Sequence, residues 1–168
     1  MRCRTLLFSL LIATFLIAGC AHKQGNTSIN DARNEGKISF WAGRISLQIQ
    51  SEPVQGFFAA FELKGQPDNG ELTLISPLGS ILGVMRWTPL EATLEQGGSI
   101  KRFASTDELL AQTTGAAVPV SALFDWLDGK NTPTPGWQAD LSQQGNGRIT
   151  AKRTEPSPQA DLRIVLDK

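Results

Sequence analysis

Residues 72–85 run Leu-Thr-Leu-Ile-Ser-Pro-Leu-Gly-Ser-Ile-Leu-Gly-Val-Met, two apolar segments divided by the five residues Ser76 to Ser80. Pro77 pre-sets its φ for a turn corner and Gly79 relieves the exit, so the stretch predicts a β-hairpin with Leu78 at its apex. Hairpin tips face water and are usually polar. A leucine there, followed at once by Ile81 and Leu82, asks for a reason.

Outward from this hairpin the dominant period is two. Upstream, Ile45, Leu47 and Ile49 alternate with Ser46, Gln48 and Gln50, the mark of a strand with one dry and one wet face. The run Gly56 to Leu63 places Phe57, Ala59, Phe61 and Leu63 on one face and Phe58 and Ala60 on the other, so it is apolar on both. Pro67-Asp68-Asn69-Gly70 is a turn leading into the hairpin. Downstream come Ile81 to Trp87, a break at Thr88-Pro89, the alternation Leu90, Ala92, Leu94, a Gly97-Gly98 turn and a short strand Ile100 to Phe103. Six strands on short connections predict an antiparallel meander.

At Ser105 the pattern changes. Ser105-Thr106-Asp107-Glu108 is a capping box ahead of Leu109, Leu110 and Ala111, predicting a helix that ends near Gly115. Pro119 and Ser121 open a second helix, with Leu123, Trp126 and Leu127 on one face and Gly129 as its stop. A loop from Asn131 to Gly136 leads to strands over Trp137–Leu141, Arg148–Arg153 and Leu162–Leu166. Nine strands and two helices in one domain predict a mainly β fold, a curved sheet or incomplete barrel with the helices covering an opening.

The amino terminus has its own logic. Arg2 and Arg4 precede an apolar run, Leu6 to Leu16, and small residues follow at Ala18 and Gly19, which together make a secretory signal peptide over 1–19. Its apolar run is too short for a transmembrane helix. Removing it leaves about 150 residues, enough for one domain with a core. Cys3 leaves with the signal, so Cys20 remains alone and no intramolecular disulfide is possible. Residues 21–36 are polar and poor in hydrophobes, a tether, with a short helical piece expected near Asn30 to Glu35. The domain is expected over 41–168, and the new terminus at Cys20 with its tether over 20–40.

Composition removes several classes of function. Loss of Arg2 and Arg4 tips the balance of 16 basic and 16 acidic side chains to the acidic side, so nucleic-acid binding is poorly supplied. The single histidine, His22, sits two residues from Cys20, which leaves no catalytic triad, Cys-His pair or histidine-bound metal in the domain. No GxxxxGK[ST] loop occurs. Glu62, Glu71, Glu91 and Glu95 lie on or beside strands and could in principle pair for acid–base work, but strand-face glutamates are ordinarily solvated. No catalytic residues, metal or cofactor are expected. The four tryptophans, Trp41, Trp87, Trp126 and Trp137, are individually core candidates, and with the helices they suit a hydrophobic pocket for acyl chains.

Two resemblances sharpen this. Ile17-Ala18-Gly19-Cys20 resembles the lipobox of bacterial lipoproteins. It implies that Cys20 carries a diacylglycerol on sulfur and an acyl chain, such as palmitate, on nitrogen, and Ala21 in place of Asp implies sorting to the outer membrane. Several chains anchor stably where one binds marginally. Within the domain, Leu74 to Ser80, Leu109-Leu110 with Thr114-Gly115, Val118-Pro119-Val120 with Leu123, Trp126-Leu127 and Gly129, and Gly43-Arg44-Ile45, resemble the outer-membrane lipoprotein receptor LolB family over most of 41–168.

That resemblance implies an unclosed antiparallel β-barrel of about nine to eleven strands with short helices as a lid over a hydrophobic cavity, in a monomer on the periplasmic face of the outer membrane. It would accept client lipoproteins from the soluble periplasmic carrier LolA, bind their acyl chains in its cavity, and place them in outer-membrane lipid without consuming nucleotide. It also implies a membrane-insertion loop, onto which Pro77, Leu78 and Gly79 map, and an amino-terminal helix that the short segment after Cys20 reduces or removes. The motif does not define the cavity wall. Apolar pattern nominates Phe58, Phe61, Met85, Trp87, Leu110, Leu123 and Trp126. The competing expectation is a lipid-anchored scaffold with a filled core; a small transmembrane barrel conflicts with the internal helices and the charged end Asp167-Lys168.

Overall fold

A computed structural model describes residues 38–114 and 118–167. Cys20, the signal segment, the tether and the expected helical piece lie outside the described residues. Among the described residues there are nine strands: β1 Ser39–Ile49, β2 Gln55–Gln66, β3 Asn69–Ile75, β4 Ile81–Trp87, β5 Ala92–Gln96, β6 Ser99–Phe103, β7 Trp137–Asp140, β8 Arg148–Arg153 and β9 Ala160–Leu166. Between β6 and β7 lie two helices, α1 Thr106–Thr114 and α2 Val120–Leu127. All nine strands form one antiparallel sheet in the order β6-β5-β4-β3-β2-β1-β9-β8-β7. The meander runs from β1 to β6, and the last three strands add to the other side of β1. β6 and β7 are left as edges, so the sheet curves without closing.

Register explains which side is dry. Ile45 faces Ala59, Leu47 faces Phe57, Leu63 faces Leu72, and Leu72 faces Met85, so one parity of every strand joins a single inner face. Leu63, Ile149, Leu162 and Ile164 on that face are almost fully buried, each worth about 1.5–3 kcal/mol against exposure. The outer face is laced with charge: Arg86 Nε donates to Glu71 at 2.8 Å and its Nη1 to Glu95 at 3.1 Å, and Arg102 reaches Glu91 at 2.9 Å. Led by the bond to Glu95, these contacts push the Arg86 pKa up. Exposed pairs of this kind add at most about 1 kcal/mol each and mainly keep the face wet.

Both helices sit over the inner face. Ser105 Oγ accepts the Glu108 N–H at 3.1 Å, and the Glu108 carboxylate accepts the Ala104 N–H at 2.9 Å, so the capping box forms with its return bond shifted one residue outward. Helix α2 buries Ala122, Phe124, Trp126 and Leu127. It ends in a Schellman motif, Lys130 N–H to Asp125 O and Gly129 N–H to Trp126 O. Phe124 meets the rings of Trp41 and Trp87 edge-on, at 5.3 and 6.3 Å between centroids, and so clamps the helix to β1 and β4. No described helix is long and apolar enough to cross a membrane.

Several boundaries differ from expectation: β2 runs on to Gln66, β3 already starts at Asn69 and β9 at Ala160. β1 starts at Ser39, two residues before Trp41, because Ser39 and Phe40 pair with Gly65 and Lys64. Leu90 is not in a strand: Thr88 N–H bonds Glu91 O at 2.9 Å and closes a turn that leaves Leu90 exposed.

Candidate functional site: an inner cavity and an apolar tip

Between the inner face and the helices lies a cavity of about 520 Å³. Its floor is apolar: Ile45 and Leu47 of β1, Phe57 and Leu63 of β2, Leu72 and Leu74 of β3, Met85 and Trp87 of β4, and Leu94 of β5. Leu110, Val118, Val120 and Leu123 from the helical segment roof it. Polar wall residues are few: Gln96, Lys101, Thr106, Gln112 and Thr113, all at least partly exposed and so at its rim. No Asp or Glu among the described residues lines it. A space of this size and lining is of the kind that takes a mostly hydrophobic ligand.

Trp87 fixes the cavity at one end. Its indole Nε1 donates to Pro67 O at 2.8 Å, and its ring lies over Gly70, its register partner. A Cβ on Gly70 would stand 2.5 Å from the ring and 2.6 Å from Lys64 O, so only glycine fits here.

At the other end of the same strand pair is the tip. Ser76 N–H bonds Ser80 O at 2.8 Å, Gly79 N–H bonds Ser76 O at 2.9 Å, and Ser80 N–H reaches Ser76 Oγ at 3.1 Å. Gly79 takes φ of 85°, a conformation that other residues adopt only with strain. Leu78 is thereby held at the apex with 94% of its surface exposed. Beyond the tip the register slips: Leu74 faces Gly83 but Ile75 faces Ile81, which leaves Leu82 as the extra residue of a β-bulge. Bulges re-aim side chains. Leu82 both lines the cavity and remains partly exposed, four residues from Leu78, so apolar surface runs from the wall toward the tip. The antiparallel order puts Val54, Phe58 and Ile100, all exposed, at this same end of the sheet.

The residues nominated from sequence separate into groups. Met85, Trp87, Leu110 and Leu123 line the cavity. Phe61 and Trp126 are buried in the core and absent from the wall, Trp126 resting against Trp137 at 6.1 Å. Phe58 is corrected outright. It points to the outer face, opposite Ser46, and borders a separate polar depression with Gln48 and Arg163, because strand alternation turns Phe57 inward instead. Phe57, Leu63, Leu72 and Leu74 also line the cavity, and they share a face with Ile45 and Leu47 through cross-strand register, which no local pattern signals. Pro77, Leu78 and Gly79 lie together in the tip.

Glu62, Glu71, Glu91 and Glu95 pair with Lys64, Arg86, Arg102 and Arg86 respectively, and the cavity is lined by none of them. No group of His, Cys, Asp or Glu able to hold a metal occurs among the described residues.

Comparison with known proteins agrees across most of the domain. The family described as "Outer membrane lipoprotein LolB" matches residues 39–160. Among relatives, "Outer-membrane lipoprotein LolB" of Cupriavidus pinatubonensis is 35% identical, covering 88% of this chain and 71% of that protein. The protein of that name from Cupriavidus metallidurans is 32% identical, over 88% and 72%. That of Bordetella petrii is 30% identical, over 91% and 87%.

Proposed function

The chain belongs to the LolB family of outer-membrane lipoproteins, receptors in lipoprotein localisation, and from that premise we propose that it takes client lipoproteins from the periplasmic carrier LolA by their acyl chains and inserts them into the outer membrane at the Leu78 tip. The observation that carries this reading is the apolar cavity of about 520 Å³ kept open between sheet and helices. A protein that needed only a stable scaffold would gain by filling it, since each buried methylene contributes about 0.8 kcal/mol.

The same magnitude supports passive transfer. An acyl chain is held out of water in the cavity and again in the bilayer core, so moving it between them changes little hydrophobic free energy and requires no hydrolysis step. What limits delivery is crossing the wet interface. Leu78, Ile81 and Leu82 supply apolar surface from the cavity to the outermost point of the tip. Leu78 alone contributes only about 1.5–3 kcal/mol if it enters lipid, too little to anchor the protein. In this reading the anchor is the diacylglycerol and N-acyl chain on Cys20, which hold a monomer to the periplasmic face.

Titration of the mature protein with a fluorescent acyl probe tests the cavity. Saturable binding near one probe per chain is expected, and no binding would return the domain to the filled-scaffold reading.

A further inference from the structure

We propose that Lys101 makes the cavity rim a subsite for an oxyanion, so that the protein also binds single amphiphiles whose acyl chain ends in a carboxylate or phosphate. This rests on the acyl-cavity reading and adds a ligand class to it.

Lys101 is on β6, an edge strand, and faces Leu94 of β5. Leu94 is on the inner face, so Lys101 belongs to that face too and lines the cavity. Among the described residues it is the only charged side chain in the wall. Among the described residues it has no ion-pair partner, whereas its neighbour Arg102, on the outer face, is held by Glu91. Of the other polar rim groups, Gln112 Nε2 donates to Glu108 at 3.1 Å and Thr113 Oγ1 to Leu109 O at 2.7 Å, while Gln96 and Thr106 carry no charge. A lone ammonium beside apolar walls favours a ligand with its chain inside and its negative charge at the opening. Low-dielectric walls strengthen that attraction relative to open water.

An inward-facing lysine on an edge strand also discourages edge-to-edge pairing. That role predicts no preference among headgroups, which makes the two separable.

The test uses the mature lipidated protein in neutral detergent with photoreactive probes of equal chain length: a fatty acid, the matching fatty alcohol and a lysophosphatidylglycerol. Each anion competes with the alcohol in the same sample, and the ratio of adducts is read by mass spectrometry. Relative to Lys101→Gln, wild type should favour an anionic probe about three- to tenfold, the range of a partly exposed charge-assisted contact. Lys101→Arg should keep the preference, and so should Lys152→Gln, an equal charge change on β8. Whether the fatty acid, the phospholipid or both are enriched identifies the source of the oxyanion. An unchanged ratio in Lys101→Gln, or an equal loss in Lys152→Gln, overturns the inference while leaving the cavity reading intact. Absence of adducts with every probe overturns both.

Discussion

Gly70 and Trp87 face each other across β3 and β4, and the indole of Trp87 occupies the space that a side chain on Gly70 would need. The contact ties the Pro67–Gly70 turn to the cavity, because the same ring bonds Pro67 O and forms part of the wall. Gly70→Ala should therefore destabilise the domain by about 1–3 kcal/mol, the usual cost of forcing a methyl into a packed site. Chemical denaturation measures it. A change within the scatter of surface substitutions would show that the ring moves aside freely.

Leu74 lies opposite Gly83 and lines the cavity. Leu74→Trp should fill space that is open in the native protein, and so leave stability within about 1 kcal/mol of wild type rather than incurring the overpacking cost of a closed core. Acyl-probe affinity should fall by about tenfold or more, equivalent to roughly 1.4 kcal/mol. Unchanged affinity in a folded variant would place the probe elsewhere.

Trp126 is fully buried and its indole N–H meets no acceptor among the described residues. Trp126→Phe removes a donor left without a bond, which offsets part of the lost packing, and should cost less than about 2 kcal/mol. Trp126→Ala should cost about 3–5 kcal/mol. Thermal unfolding of the pair checks this; a Trp126→Phe loss as large as that of Trp126→Ala would contradict both the packing and the offset from the removed donor.

Acid stability has an identifiable contributor in Asp140, at the end of β7. The Ser142 backbone N–H donates to its carboxylate at 2.9 Å and, together with the Ser142 side chain, holds its pKa below the usual carboxylate value. Unfolded chain then takes up this proton before folded chain does. The contribution is present above the ordinary carboxylate pKa and is lost as pH falls through the lowered one. Asp140→Asn keeps an acceptor oxygen but no titration, so its unfolding curves should show a shallower acid-side decline. Identical pH slopes would exclude the group.

Several of these features were legible in the sequence because they depend on neighbours in the chain. The Ser76–Ser80 turn, the Ser105–Glu108 cap and the stop at Gly129 are local, and each forms where its residues predict. The cavity wall was harder. Residues 56–63 are apolar on both parities, so nothing within the run distinguishes Phe57 from Phe58; pairing with Leu47 does, and pairing is long-range. Phe61 and Met85 share one face, yet only Met85 reaches the cavity, because where the helices rest decides which inner residues are covered. The bulge at Leu82 has one local mark, the isolated Gly83 that follows it inside the strand. Leu90 alternates correctly with Ala92 and Leu94 but is claimed by the Thr88–Glu91 turn.

The central claim is that acceptance and delivery are separate steps, with the cavity serving one and Leu78 the other. Leu78 is almost wholly exposed, so Leu78→Glu should shift stability by no more than about 0.5 kcal/mol. The direct measurement supplies lipidated wild type or Leu78→Glu with a client-loaded carrier and then with liposomes, scoring client on the receptor and client in lipid independently. Both proteins should accept client equally, while delivery by Leu78→Glu should fall by about tenfold or more as a charge replaces the apolar apex at the lipid interface. Delivery at the wild-type rate by Leu78→Glu, or failure of wild type to accept any client, would contradict the account.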